Sequence, residues 1–263
     1  MPARFYIDAP LIAPANPADP LRLPSGPARH VQVLRMQPGD ALTLFDGSGG
    51  EWAAQVVRMG RSDVDVQLAA HDPVDRELGQ HITIALGMPA NERMDALVEK
   101  ATELGVARIQ PLVCERSVLR LSGERAIKKV AHWQGVAVAA CEQSGRTRVP
   151  VIAPIRSLAE WLASLSEVGD VGDVGDVAGA PAATVHERRW VMSLRDAGTA
   201  PTQASDASLV CLSGPEGGLS EAEECAAFAK GFAPVSLGPR VLRADTAPVA
   251  LLAYLAIGRN FKA

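Results

Sequence analysis

At 263 residues, 48% hydrophobic and 21% charged, the chain has the balance of a globular protein of one large or two small domains. Its 26 basic and 30 acidic residues leave a net charge of −4, which argues against a uniformly basic nucleic-acid binder, and its longest apolar run, near Val249 to Ile257, is too short to span a bilayer. No apolar stretch follows the arginine of MPARFYIDAP, and Cys114, Cys141, Cys211 and Cys225 lie 27, 70 and 14 residues apart. We therefore expect no secretory leader, no zinc site and no disulfide framework, but reduced thiols in a cytoplasmic protein without metal.

Residues 1–72 read as a small β domain. Pro-rich residues 10–27 form an irregular lead-in, and His30, Val31, Leu34 and Arg35 fit a short helix. Ala41–Phe45 and Trp52–Val57, joined by Asp46-Gly47-Ser48-Gly49-Gly50, predict a hairpin. Val64, Val66 and Leu68 then alternate with Asp63, Asp65 and Gln67, the pattern of a half-buried strand.

The polar linker HDPVDRELG opens the second part, residues 73–263. His81–Leu86 is a short apolar strand, and Asn91 is placed to cap a helix through Met94, Leu97, Val98, Ala101 and Leu104 that ends at Gly105. Val106–Val113 resumes as strand, so the three elements make a right-handed βαβ unit. A longer helix from about Glu124 to Cys141 presents Ile127, Val130, Ala131, Ala137, Val138 and Cys141 as its core face. Between Arg116 and Arg148 stand seven basic residues (Arg116, Arg120, Arg125, Lys128, Lys129, Arg146, Arg148) against Glu124 and Glu142, a local excess of five. That excess fits either a solvated helix face or a polyanion contact. At 166–183 the triplet Val-Gly-Asp repeats three times, too rich in glycine and charge to pack; it reads as a flexible insertion without a full calcium loop.

Strands at Trp190–Leu194, Leu209–Leu212 and Pro234–Leu237 complete an α/β domain with a mainly parallel sheet. Two of them end in glycine-bearing corners. In LVCLSGPEGGLSEAEE, Ser220 and Glu223 have capping-box spacing, so a helix starts at Glu221, while Gly214, Gly217 and Gly218 permit a sharp turn and close approach to a ligand. In VSLGPRVLRADTAP, Asp245 or Thr246 caps a helix that is apolar nearly all round, which implies burial. Neither corner carries GxGxxG or a phosphate lysine. Two such corners close in sequence suggest one shared pocket.

These residues carry a resemblance. LSGPEGGLSEAE, LGPRVLRADTA, Arg93-Met94-Asp95, Lys100 to Val106, Glu115-Arg116-Ser117, ACEQSGR, His30 with Val33 to Met36, and Leu44 to Gly47 together closely resemble the RsmE family, 16S ribosomal RNA uridine N3 methyltransferases of the SPOUT superfamily. The resemblance spans nearly the whole chain. It implies an N-terminal PUA-like β-barrel RNA-binding domain (1–72) and a C-terminal α/β domain (73–263) tied in a trefoil knot. It also implies a homodimer, S-adenosylmethionine as methyl donor, and 16S ribosomal RNA, within the small ribosomal subunit, as substrate. The implied cofactor pocket comprises Leu194, Ser213, Gly214, Pro215, Glu216, Gly217, Gly218, Leu237, Gly238, Val241, Leu242 and Arg243. The implied RNA contacts are Arg4, Arg35, Arg116, Glu142 and Arg146.

Two positions depart from the family pattern. Asp245 replaces the usual glutamate and is one methylene shorter, and Arg195 stands where relatives often show histidine.

Uracil N3 carries a proton at neutral pH, so methylation builds charge on the ring oxygens. Arg243 is the expected stabiliser of that charge, and Asp245 the expected proton acceptor, directly or through water, although an unshifted carboxylate is a weak base for an imide. The competing role for both is a structural ion pair. Two other functions compete: ribose 2'-O methylation, for which related knotted enzymes carry similar glycine loops, and a non-catalytic RNA-binding adaptor that uses its second domain to dimerise.

Overall fold

A computed structural model describes residues 2–13, 16, 19–90, 93–166, 187–193, 198–202 and 208–257. Asn91, Leu194, Arg195 and the insertion from residue 167 lie outside the described residues. The chain forms two compact units, residues 1–77 with 138–149, and residues 78–137 with 150–263.

In the first unit β1 (Ala3–Tyr6), β2 (Leu21–Arg22), β3 (Ala41–Phe45), β4 (Glu51–Met59) and β5 (Val64–Asp72) form one sheet in the order β1-β3-β4-β5-β2. The hairpin expected across Asp46–Gly50 is the antiparallel pair β3–β4. Within the stretch expected to be irregular, β2 pairs antiparallel with β5; β1, which no sequence pattern marks, pairs parallel with β3, a contact almost 40 residues away. Helix α1 (Ser25–Val33) starts inside the Pro-rich lead-in, where Pro24 fills the cap position without a side-chain hydrogen bond. Phe5, Leu42, Leu44, Val56, Val64 and Val66 pack against Ala28 and Val31 of α1. Asp65, expected on the solvent side, is only 8% exposed because Arg22 and Arg58 close over its two carboxylate oxygens, at 3.2 and 2.7 Å.

A network of charges explains why residues 138–149 belong to this unit. Arg4 pairs with Glu51 and donates to the Arg146 carbonyl at 3.1 Å. Arg76 reaches Glu51 at 3.1 Å and the Gly145 carbonyl at 2.9 Å, while Arg146 Nε donates to Glu77 at 3.1 Å. Burial pushes the Glu51 carboxyl up, but hydrogen bonds from Arg76 and Arg4 outweigh it and hold the group below its ordinary 4.5. A depressed carboxyl contributes stability that is complete above its ordinary value and is lost as pH falls through its folded value. Glu51→Gln should therefore cost about 2 kcal/mol at neutral pH. It should also flatten the acid-side loss of stability below about pH 5. Denaturant titration across pH checks both; an acid limb as steep as wild type would contradict the assignment.

The second unit carries β6 (Ile82–Gly87), α2 (Arg93–Glu103), β7 (Arg108–Val113), α3 (Gly123–Ser144, its last turns in the first unit), β8 (Val151–Ile152), β9 (Arg156–Ser157) and α4 (Leu158–Ala163). It continues with β10 (Arg188–Met192), β11 (Leu209–Ser213), α5 (Glu221–Ala229), β12 (Ala233–Val235) and α6 (Thr246–Ile257). The sheet runs β12-β10-β11-β6-β7-β8, with β9 also on β7, and every pairing is parallel. Ile82, Ile84 and Leu86 pack with Met94, Leu97, Trp133, Leu251 and Leu255, whereas Ala85, Leu112, Val210 and Leu212 pack with Leu158, Trp161 and Ala227. Helices thus cover both sheet faces, which is why β6 and β11 read as nearly continuous apolar runs.

Two expected burial patterns need correction. On α3 the buried face is Trp133, Ala137 and Cys141, while Ile127 is 70% exposed and Ala131 is also exposed. Trp133 sets this rotation: its ring is buried and its Nε1 donates to Asp95 of α2 at 2.9 Å, the carboxylate that His132 Nε2 also meets at 2.7 Å. Helix α6 buries Leu251, Leu252 and Leu255 but exposes Tyr254 and Ile257 on its outer side. Among the described residues no helix is long and apolar enough to cross a membrane.

Candidate functional site

Strand register brings the two glycine corners together. Ser213 at the end of β11 lies beside Leu86 of β6 and Met192 of β10, and Met192 lies beside Val235 of β12. Parallel strands whose carboxyl ends are level release their following loops over one edge, where ligands of open α/β sheets bind. Here those loops enclose a cleft of about 380 Å³, within the range of small-molecule sites.

The first corner is built by its glycines and caps. Gly218, at φ 68°, closes a turn in which its N–H donates to the Pro215 carbonyl at 2.8 Å. A Cβ on Gly214 would stand 2.8 Å from the Leu219 nitrogen, so the loop folds back on itself too tightly for any side chain there. Helix α5 begins at Glu221 as expected, with both capping-box hydrogen bonds between Ser220 and Glu223 formed. Neighbouring loops anchor the corner. Glu216 Oε1 accepts from the Ala90 N–H at 2.9 Å and lies 3.7 Å from Arg93, and Glu223 Oε1 accepts from the Glu115 N–H at 2.7 Å. Arg116 donates from one nitrogen to the carbonyls of Gly217 and Leu219, at 3.0 and 3.3 Å.

The second corner turns at Gly238, φ 108°, and runs to Arg243, whose carbonyl accepts from the N–H groups of Thr246 and Ala247 at the start of α6. A Cβ placed on Gly218 or Gly238 would meet nothing within 4 Å, so the main chain of both corners borders open space.

Ser213 through Gly218, Leu237–Gly238 and Val241 through Arg243 all line this cleft, as does Arg116; Leu194 lies outside the described residues. Asp245 is half-buried and does not line it, and its Oδ1 is buried with no hydrogen-bond partner. The structure holds no Arg243–Asp245 ion pair. The sequence reading missed Arg93, Ser193, Glu224 and Arg240 as lining residues. Glu224 had no signal, since it follows the capping glutamate in an acidic first turn; it is 6% exposed, with Ser193 Oγ donating to it at 3.0 Å.

Cysteine chemistry is not offered here. Burial, with Glu223 nearby, pushes the Cys114 thiol up to about 12, and burial alone drives Cys211 higher still. Such thiols stay protonated and inert.

The remaining candidate RNA contacts lie in the first unit. Arg4 and Arg146 are the buried members of the Glu51 and Glu77 pairs described above. Glu142 accepts from the Tyr6 N–H at 2.9 Å, and burial raises its carboxyl above the ordinary range. Arg35 is exposed and takes left-handed backbone, φ 55°, just past α1, a position that favours glycine or asparagine. Of the basic run from 116 to 148, Arg116, Arg120, Lys128, Lys129 and Arg146 all have protein partners.

Residues 76–256 match the RNA methyltransferase domain family, and residues 28–69 match the RNA methyltransferase PUA domain. A protein of Synechocystis sp. named ribosomal RNA small subunit methyltransferase E is 33% identical over 85% of this chain and 68% of its own. A Bacillus subtilis protein of the same name is 29% identical over 86% and 84%. Among solved structures, the Neisseria gonorrhoeae ribosomal RNA small subunit methyltransferase E bound to S-adenosyl methionine superposes with a TM-score of 0.83 at 34% identity, covering 97% of each chain. With its parallel α/β unit, its PUA match and a cleft framed by both glycine corners, the chain belongs to the ribosomal RNA small subunit methyltransferase E (RsmE) family of RNA methyltransferases.

Proposed function

We propose that the protein transfers a methyl group from S-adenosylmethionine to N3 of a uridine in 16S ribosomal RNA of the small subunit. The observation that carries this reading is the convergence of both corners on one cleft, with Arg243 at its border. The residues fit the cofactor: the glycine corners leave main chain facing open space of the right size, suited to gripping a small polar molecule through backbone groups. Ser213 to Gly218, Leu237 and Gly238 would hold it, together with the main chain of Val241 to Arg243, whose side chains are left for the RNA. When bound, it supplies a methyl group already activated on a sulfonium.

The chain's own part is to orient, exclude water and manage charge. The Arg243 side chain is exposed and has no hydrogen-bond or ion-pair partner among the described residues, so its guanidinium is available to the uracil oxygens as N3 loses its proton. Asp245, with one carboxylate oxygen unpartnered, is the group to accept that proton through water once the α6 start adjusts. In the first unit Arg35 is an exposed cation suited to a phosphate. A homodimer is part of this reading, supported by the exposed apolar Tyr254 and Ile257 of α6.

Arg116 acts here by holding the first corner. Arg116→Ala should weaken cofactor affinity about tenfold, the loss of about 1.5 kcal/mol of charged hydrogen bonds. Calorimetry checks this, and unchanged affinity would return Arg116 to a purely RNA-facing role. Function itself is tested by nucleoside analysis of 16S ribosomal RNA from cells lacking and regaining the gene. N3-methyluridine that vanishes and returns supports the reading; a ribose 2'-O mark following the gene contradicts it.

A further inference from the structure

Among the described residues four arginines line the cleft, and two of them have partners there. Arg93 lies 3.7 Å from Glu216, and Arg116 is committed to the carbonyls of Gly217 and Leu219. The side chains of Arg240 and Arg243 are exposed and have no hydrogen-bond or ion-pair partner among the described residues. Between them Val241 stands 78% exposed, an apolar side chain presented to solvent beside the cleft. Among the described lining residues four guanidinia stand against two carboxylates, Glu216 and Glu224, a local excess of positive charge on a chain whose net charge is −4.

Arg240 follows the turn at Gly238, φ 108°, and Pro239, and its side chain has no partner among the described residues. A planar guanidinium without a carboxylate partner matches a phosphodiester, which it can grip with two parallel hydrogen bonds. The basic run at 116–148 offers no comparable group near the cleft, since the two of its members closest to the corner, Arg116 and Arg120, donate to main-chain carbonyls.

We propose that Arg240 binds a backbone phosphate of the RNA beside the target nucleotide, with Val241 as the apolar surface against which that nucleotide rests. This rests on the RNA-substrate reading above, and it separates two tasks within one loop. Arg243 meets the reacting base; Arg240 meets the backbone and positions it.

Transcribed 16S ribosomal RNA titrated by fluorescence anisotropy over a salt series tests this, with Arg240→Ala and Arg240→Lys beside wild type. Arg240→Ala should weaken binding about tenfold and lower the slope of log affinity against log salt by about 0.9, one phosphate contact. Arg240→Lys should restore most of the slope, because the point charge remains. Cofactor affinity and sedimentation should not change. An unchanged salt slope overturns the proposal. So does a shift from dimer to monomer in Arg240→Ala, which would assign the loop to an interface between copies of the chain. Wild-type protein that binds this RNA at no salt concentration sinks the RNA-substrate reading instead.

Discussion

Arg243→Ala should lower kcat by about 100-fold to 1000-fold while leaving S-adenosylmethionine affinity within about threefold of wild type, the range seen when one donor to a developing oxyanion is removed. The reason is the position of the charge. Arg243 lines the cleft through a loop residue whose carbonyl begins α6, so the backbone is anchored while the guanidinium has no internal partner. Truncation removes a group that acts as the imide gives up its proton, not one that holds the corner together. Arg243→Lys should recover only part of the loss, since a point charge cannot serve two hydrogen bonds in one plane. Single-turnover kinetics with calorimetry separate the two quantities. Equal loss in both would make Arg243 a binding residue and leave charge stabilisation without a candidate.

The second large effect lies in a strand that touches no substrate. Gly87 ends β6, fully buried, and a Cβ there would stand 2.5 Å from Pro215 Cδ and 2.6 Å from the Pro215 nitrogen, with the Cys114 sulfur at 3.0 Å. Neither the proline ring nor its backbone can yield as a flexible side-chain end would. Gly87→Ala should therefore cost about 2–3 kcal/mol of stability, the usual scale of overpacking. Because relief requires Pro215 to move, it should also weaken cofactor binding by at least about tenfold. Melting curves with and without S-adenosylmethionine read both effects together. A variant with wild-type melting and wild-type affinity would mean that the close packing of β6 against the first corner does not shape the site.

What the sequence made legible is local. The capping tetrad Ser220 to Glu223 fixes the start of α5 through groups within four residues, and the nearly continuous apolar runs of β6 and β11 report burial on both faces directly. What it hid depends on distant partners. β1 has no pattern of its own because four residues pair with a strand nearly 40 positions later. The rotation of α3 is set by Trp133 reaching Asp95 on another helix, which outweighs Ile127 as an apolar residue. Arg4 and Arg146 look like surface cations until Glu51 and Glu77 are brought beside them. At the cleft, the glycines were legible because a tight turn demands them wherever it occurs. Glu224 and Arg240 were not, since which acidic or basic residue faces a cleft is decided by the register of strands it does not belong to.

The most direct test of the central account, that both corners build one site for methyl transfer to a uracil nitrogen, is incubation of purified protein with 16S ribosomal RNA or small subunits and methyl-labelled S-adenosylmethionine, followed by nucleoside mass analysis. The expected result is label in N3-methyluridine, abolished in Arg243→Ala. Label on a ribose oxygen, or label in N3-methyluridine undiminished by Arg243→Ala, would contradict it.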